Sequence, residues 1–103
     1  METQISSIAM LNDEFRHNGF DIVFTRGVRA LHADEAVLVA LCSYDDFTAD
    51  NDPYGEHDFG SFELCGKKLF WKMDYYNRGL TEFCDPTDPK CRRFITVMLA
   101  EEY

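Results

Sequence analysis

Apolar runs long enough to cross a membrane are missing from this sequence. No stretch approaches the roughly 18 consecutive apolar residues that a membrane-spanning helix needs. The first residues, Met1 to Gln4, have neither the basic segment nor the apolar stretch of a signal peptide. We therefore expect a cytoplasmic protein without a membrane partner.

Positive charge is also scarce. Ten Lys and Arg residues stand against 19 Asp and Glu residues, which gives a formal net charge of -9. Such a charge repels nucleic-acid phosphates and anionic membranes, and it attracts cations or basic protein surfaces. The composition therefore argues against direct nucleic-acid binding. It predicts a basic surface of a host protein or nucleoprotein complex as the partner.

Recognisable catalytic signatures are absent. The sequence contains no nucleophile elbow, phosphate-binding glycine loop, H-E-x-x-H pair or dinucleotide fingerprint. Its four cysteines are irregularly spaced, without a C-x-x-C pair. We expect reduced thiols, with Cys42 and Cys65 buried as small apolar residues. Cys84 and Cys91 flank a turn-rich loop that could bring them together. No cofactor is predicted.

The residues that are present predict one domain over 1–103. This length, with 46% apolar residues, suffices for a two-layer core. Spacing and composition predict a first helix over 4–17, a strand over 20–25 and a second helix over 34–44. The first helix should turn one apolar face to the core and keep its polar residues elsewhere. That apolar face consists of Ile5, Ile8, Leu11 and Phe15, and the polar residues are Gln4, Asn12, Asp13 and Arg16.

The second half of the chain has the pattern of an antiparallel sheet. A hairpin is predicted from residues 62–65 and 68–75, followed by an irregular segment over 77–92 and a last strand over 94–99. Alternation gives the long hairpin strand one apolar face, made of Leu69, Trp71, Met73 and Tyr75. The order αβαβββ predicts an α+β two-layer domain with two helices and a mainly antiparallel four-stranded sheet.

Residues 45–60 form a long loop with six acidic residues and no Lys or Arg. Loops of this length inside a compact domain are uncommon and often functional. The acids are candidate binding residues: Asp45, Asp46, Asp50, Asp52, Glu56 and Asp58. An EF-hand is excluded, because the twelfth position counted from Asp50 is Ser61 instead of glutamate. We predict no metal site, although a looser carboxylate site for a hard cation stays open.

The triplet Glu56-His57-Asp58 raises a catalytic alternative. A histidine beside carboxylates can act as a general base, so these three residues are the candidate catalytic group. Together with Asp52 and Asp74 they could form a metal-assisted hydrolase. Neighbouring side chains in an extended segment point to opposite faces, however. Local hydrogen bonds that hold the loop, together with partner contact, are therefore the favoured role for the triplet.

The predicted strand over 68–75, with Tyr76 directly after it, supplies the remaining binding candidates. Two of them are Trp71 and Tyr76, because Trp and Tyr are frequent in interface hot spots. The third is Asp74, which lies between them. The alternative is ordinary cross-strand or core packing.

Five segments carry a family resemblance. They are L-N-D-E-F-R at 11–16, T-R-G-V at 25–28, F-T-A-D-N-D-P-Y-G-E-H-D-F-G at 47–60, W-K-M-D-Y-Y at 71–76 and T-V-M-L-A-E-E-Y at 96–103. Together they resemble a bacterial family of domains of unknown function, whose small single-domain members are carried on chromosomes, plasmids and prophages. The chain departs from that pattern around Cys84 and Cys91, which weakens a metal or redox role for these thiols. The resemblance implies no activity, but it favours the acidic block and the 71–76 strand as a shared site.

Two functional hypotheses follow. The first is a protein-binding module that inhibits a nucleic-acid-handling host system, of the anti-CRISPR or anti-restriction type, by charge-complementary binding. The second is the metal-assisted hydrolase built on Asp52, Glu56, His57 and Asp58. A self-associating structural subunit, and hence a homo-oligomer, stays open.

Overall fold

The computed structural model describes residues 7–18 and 21–103. Within them lie three helices, α1 (Ser7–Asn18), α2 (Arg26–Arg29) and α3 (Asp34–Cys42). Four strands are present, β1 (Ile22–Phe24), β2 (Phe59–Leu64), β3 (Lys67–Tyr76) and β4 (Arg92–Leu99), followed by a 3-10 turn over Ala100–Glu102. No helix in these residues is long and apolar enough to cross a membrane.

The four strands form one sheet in the order β1-β4-β3-β2. The β2–β3 and β3–β4 pairs are antiparallel, and the short β1 runs parallel to β4. The predicted α+β class and the mainly antiparallel four-stranded sheet are thus confirmed. The helix count was wrong, because the four residues of α2 are too few to produce a periodic pattern in the sequence.

The core lies on one face of the sheet. Trp71 and Met73 of β3 stand opposite Val97 and Ile95 of β4, and all four are buried. Helices α2 and α3 cover this face with Val28, Val37 and Leu41. The intervening β3 residues, including Lys72 and Asp74, lie on the other face. The predicted alternation along this strand is therefore confirmed.

Helix α1 buries only part of the face that its apolar residues predicted. Phe15 packs against the core, whereas Leu11 is 41% exposed. The buried residues of the helix are Ala9, Asn12 and Arg16. The predicted contribution of Ile5 lies outside the described residues. Two polar side chains take the inner face because each finds hydrogen-bond partners there, which removes the usual cost of burying them.

Several boundaries differ from the predictions. Helix α3 ends at Cys42, two residues early, and only Val37 and Leu41 of it are buried. Strand β2 begins at Phe59, inside the predicted loop, and β4 begins at Arg92. Cys65 is exposed rather than buried, because it occupies the β2–β3 turn with a φ of 54°.

Candidate functional site

The block from Asn51 to Gly60 is a hydrogen-bonded structure. The side chain of Asp52, only 7% exposed, accepts hydrogen bonds from the backbone N–H of Glu56 at 3.2 Å and of His57 at 3.3 Å. Asn51 accepts a bond from the Thr48 N–H at 2.8 Å and donates one to the Asp46 carbonyl at 2.8 Å. These bonds are the local side-chain contacts that Asp and Asn favour in turns.

His57 is held between two carboxylates. Its Nδ1 lies 2.9 Å from Asp13 Oδ1 on helix α1, and its Nε2 lies 3.6 Å from Asp52 Oδ2. Its ring stacks on Phe47 with the centroids 3.8 Å apart and the planes 2° from parallel. Both ring nitrogens therefore face acidic groups, and the side chain is only 17% exposed.

Arg16 packs helix α1 against the residues just before this block and against the core. Its Nη1 lies 3.1 Å from Asp13 Oδ1, and its Nη2 donates to the Tyr44 carbonyl at 2.8 Å. The guanidinium carbon lies 5.2 Å from the Phe47 ring centroid and 5.3 Å from that of Trp71. Burial of this cation, at 2% side-chain exposure, is thus compensated by a carboxylate, a carbonyl and two aromatic faces.

Asn12 joins three separate parts of the chain. Its Nδ2 donates to the Glu56 carbonyl at 2.9 Å and to the Tyr75 hydroxyl at 2.8 Å. Its Oδ1 accepts from Arg93 Nε at 2.7 Å. The Tyr75 hydroxyl in turn donates to Asp58 Oδ2 at 3.4 Å. Helix α1, the loop and the two central strands therefore share one polar network.

Burial and like charges shift two pKa values in this network. Burial raises the pKa of the Tyr75 hydroxyl, so this group is a neutral donor near neutral pH. The pKa of Glu56 is also raised, first by burial and then by the negative charge and hydrogen bonding of Asp58. Both shifts favour the protonated, uncharged forms of these two side chains.

Gly60, the last residue of the block, lies very close to the side chains of Trp71 and Tyr44. A methyl group at this position would lie 2.4 Å from Trp71 Nε1 and 2.7 Å from the Tyr44 ring. Both neighbours are rigid aromatic groups, so the site has room only for hydrogen. The end of the block is therefore packed directly against the core.

The catalytic grouping suggested by the sequence is only partly brought together. Asp52, Glu56, His57 and Asp58 are close neighbours in the network, but Asp74 lies on the opposite face of the sheet, 3.7 Å from Lys72. Within residues 7–18 and 21–103, no group of three or more His, Cys, Asp or Glu side chains is placed to hold a metal ion.

The candidate binding residues separate into three groups. Asp45, Asp46 and Asp50 are exposed on the loop, and Tyr54 beside them is 87% exposed. Asp52, Glu56 and Asp58 are partly buried in the network. The strand candidates belong elsewhere: Trp71 is fully buried in the core, Tyr76 stacks on Phe94 on the open sheet face, and Asp74 pairs there with Lys72.

Sequence reasoning missed the helical half of the site. Asn12, Asp13 and Arg16 were expected away from the core. Asn12 and Asp13 instead contact Glu56 and His57 of the loop, and Arg16 lies over the Phe47 ring. The signal that could have found them is the spacing of four between Asn12 and Arg16, which places both on one helix face. Arg93 was missed because nothing in a strand sequence marks a buried arginine.

Comparison with known proteins identifies one family. The model of a family described as "Protein of unknown function (DUF3768)" matches residues 24–102. No curated protein and no solved structure matches the chain. The matched range contains the acidic loop and strands β2 to β4, whereas helix α1 lies before it.

Proposed function

We propose that this chain, which belongs to the DUF3768 family, is a non-enzymatic module that binds a basic protein surface through its acidic loop. The observation that supports the proposal is that the loop acids differ in exposure, some being partly buried in the network and others open to solvent. Asp45, Asp46 and Asp50 are exposed and form no ion pair within the described part of the chain. Their charges are therefore available to a partner.

The loop is organised before any partner arrives. Asn51 and Asp52 hold it internally, His57 contacts Asp13 of helix α1, and Arg16 of that helix lies over Phe47. A preorganised surface loses less conformational entropy on binding than a flexible one. Tyr54, exposed next to the acids, adds an aromatic side chain of the type that dominates interface hot spots.

The charge around the loop extends well beyond it. No Lys or Arg occurs between Arg29 and Lys67, whereas nine of the 19 acidic residues do. Such an uninterrupted negative region accelerates association with a positive surface. A nucleic-acid-handling host enzyme in the cytoplasm presents such a surface where it holds phosphates. Inhibition of a CRISPR effector or restriction enzyme is therefore the specific form of the proposal, in keeping with the plasmid and prophage setting that the family resemblance implies.

Capture from a bacterial lysate tests this proposal. The bait is the full chain, washed at about 50 mM and about 500 mM salt. A loop variant carries Asp45→Asn, Asp46→Asn and Asp50→Asn. A control variant removes the same charge outside this region with Glu14→Gln, Glu82→Gln and Glu101→Gln, all at exposed positions.

We expect the wild type and the control to capture the same basic nucleic-acid-binding complex, and salt to release it. The loop variant should unfold like the wild type and capture little of that complex. Equal capture by the loop and control variants would overturn the proposal.

A further inference from the structure

The few basic residues of this acidic protein are unevenly placed. Four of its ten Lys and Arg residues line a single pocket of about 260 Å3. They are Arg78, Lys90, Arg92 and Arg93. The pocket lies where β3 ends and β4 begins, next to Phe15 of helix α1 and Asp21 before β1. Asp21 is the one acidic residue in its lining.

The deepest of these cations lacks a negative partner. Arg93 is only 9% exposed, yet its guanidinium contacts neutral groups: the Asn12 side chain at 2.7 Å, the Pro86 carbonyl and the Tyr75 ring at 5.4 Å. It forms no ion pair in the part of the chain that the structure describes. A buried cation without an anion carries a desolvation cost that a bound anion would offset.

The other cations of the pocket also lack a strong negative partner. Among residues 7–18 and 21–103, neither Arg78 nor Lys90 forms an ion pair. Arg92 approaches Asp21 only at 3.9 Å, with both side chains nearly half exposed. A pair of this length and exposure is weak, so it does not neutralise the pocket.

An apolar pocket of about 300 Å3 adjoins the cationic one. The two share Asp21 and Arg92, and the second is otherwise lined by Ile22, Val23, Leu80 and Phe94. A ligand that fills both needs an anionic head and an apolar body. We propose that the two pockets bind a small organic anion, with its phosphate or carboxylate group against Arg78, Lys90 and Arg92 and its apolar group against Leu80 and Phe94, on the sheet face that Arg92 and Phe94 share.

Local hydrogen bonds hold the segment over residues 77–90, which carries two of the cations. Asn77 accepts a bond from the Thr81 N–H at 2.9 Å, and Asp85 accepts one from the Thr87 N–H at 2.8 Å. Asp88 accepts a third from the Lys90 N–H at 2.8 Å. These local bonds fix the segment that carries Arg78 and Lys90, so the cations are gathered without a ligand. The pocket lining includes no residue of the acidic loop, although Arg93 is linked to that loop through Asn12.

Titration of the 15N-labelled full chain with four probes tests the site by NMR. The probes are inorganic phosphate, phenyl phosphate, benzoate and benzyl alcohol. Saturable shifts at Arg78 and at residues 90–93 are expected with phenyl phosphate. It should bind about tenfold more tightly than inorganic phosphate, because its ring buries apolar surface. Neutral benzyl alcohol should not saturate. Comparison of benzoate with phenyl phosphate shows which head group the cations prefer.

Two double variants complete the test. Arg78→Gln with Lys90→Gln should weaken phenyl phosphate binding about tenfold or more, because two charge-assisted hydrogen bonds are lost. The matched control, Lys67→Gln with Lys68→Gln, removes the same charge at the exposed start of β3 and should bind within about twofold of the wild type. Equal weakening by both double variants would overturn the proposal, as would benzyl alcohol binding as tightly as phenyl phosphate.

Discussion

Asn12 has no exposed surface and makes hydrogen bonds to three partners far away in sequence. Glu56 is 44 residues away, Tyr75 is 63 away and Arg93 is 81 away. A side chain with such connections determines where helix α1 lies against the loop and the sheet. Loss of its amide would leave a carbonyl, a hydroxyl and a guanidinium without their partner in a dry environment.

Asn12→Ala should therefore lower the free energy of unfolding by about 2–4 kcal/mol. Urea unfolding followed by circular dichroism measures the change. Met10→Ala is the matched control on the same helix, because Met10 is 61% exposed and its replacement should shift stability by less than about 0.5 kcal/mol. Similar unfolding midpoints for the two variants would show that the network does not stabilise the fold.

Individual residues of helix α1 also show what could not be predicted from the sequence. Asn12 and Arg16 carry a pattern that predicts a solvent-facing helix surface, and periodicity alone would expose them. Their burial depends on partners in the loop and in β3 and β4, so the spacing of four that places them on one face does not show whether that face is buried. The role of His57 as a loop anchor, in contrast, was among the alternatives that the sequence offered.

At the scale of elements, the sheet was the most predictable part. Alternation in β3 depends on one face being buried and the other open, and that condition is local to the strand. Helix α2 and the parallel β1–β4 pair were not predicted. Both are three or four residues long, too short for a period to appear, and they depend on contacts with the C-terminal segment.

Glu102 supplies the contacts of helix α2, whereas β1 is held by its pairing with β4. Its carboxylate accepts hydrogen bonds from the Thr25 hydroxyl at 2.6 Å, the Leu99 N–H at 2.7 Å and the Gly27 N–H at 3.0 Å. A single side chain thus connects the end of the sheet to the start of α2. These bonds, led by that of Thr25, lower the pKa of the Glu102 carboxyl.

The lowered pKa predicts a pH dependence of stability. The stabilisation from Glu102 is fully present above the ordinary pKa of Glu in the unfolded chain, and it is lost as pH falls through the lower folded-state pKa. Glu102→Gln should therefore lower the melting temperature more at about pH 7 than at about pH 3. Thermal unfolding at both pH values measures this difference.

The neighbouring residue gives the control for that experiment. Glu101 is 68% exposed at its side chain and makes only a 3.7 Å contact with Lys67. Glu101→Gln should change the melting temperature little at either pH. An equal effect of the two substitutions at neutral pH would contradict the account of how the C-terminal segment is attached.

At the scale of the whole molecule, charge is separated along the chain. The acids of the loop lie in a region without Lys or Arg, whereas four of the ten basic residues share one pocket at the start of β4. The net charge of -9 conceals this separation. Composition alone predicted a negative surface, but the cationic pocket appears only when Arg78 is brought beside residues 90–93 by the fold.

The central claim is that the exposed acids bind by charge while the buried ones hold the loop. The most direct test is the Kd of the captured complex for the wild type, for Asp45→Asn, Asp46→Asn and Asp50→Asn singly, and for the triple variant. We predict losses of about two- to fivefold for each acid, accumulating in the triple variant and shrinking at high salt. Two results together would contradict the claim and indicate catalysis. The Kd values would be unchanged at every salt concentration, and His57→Ala alone would abolish function in a protein that still folds and binds.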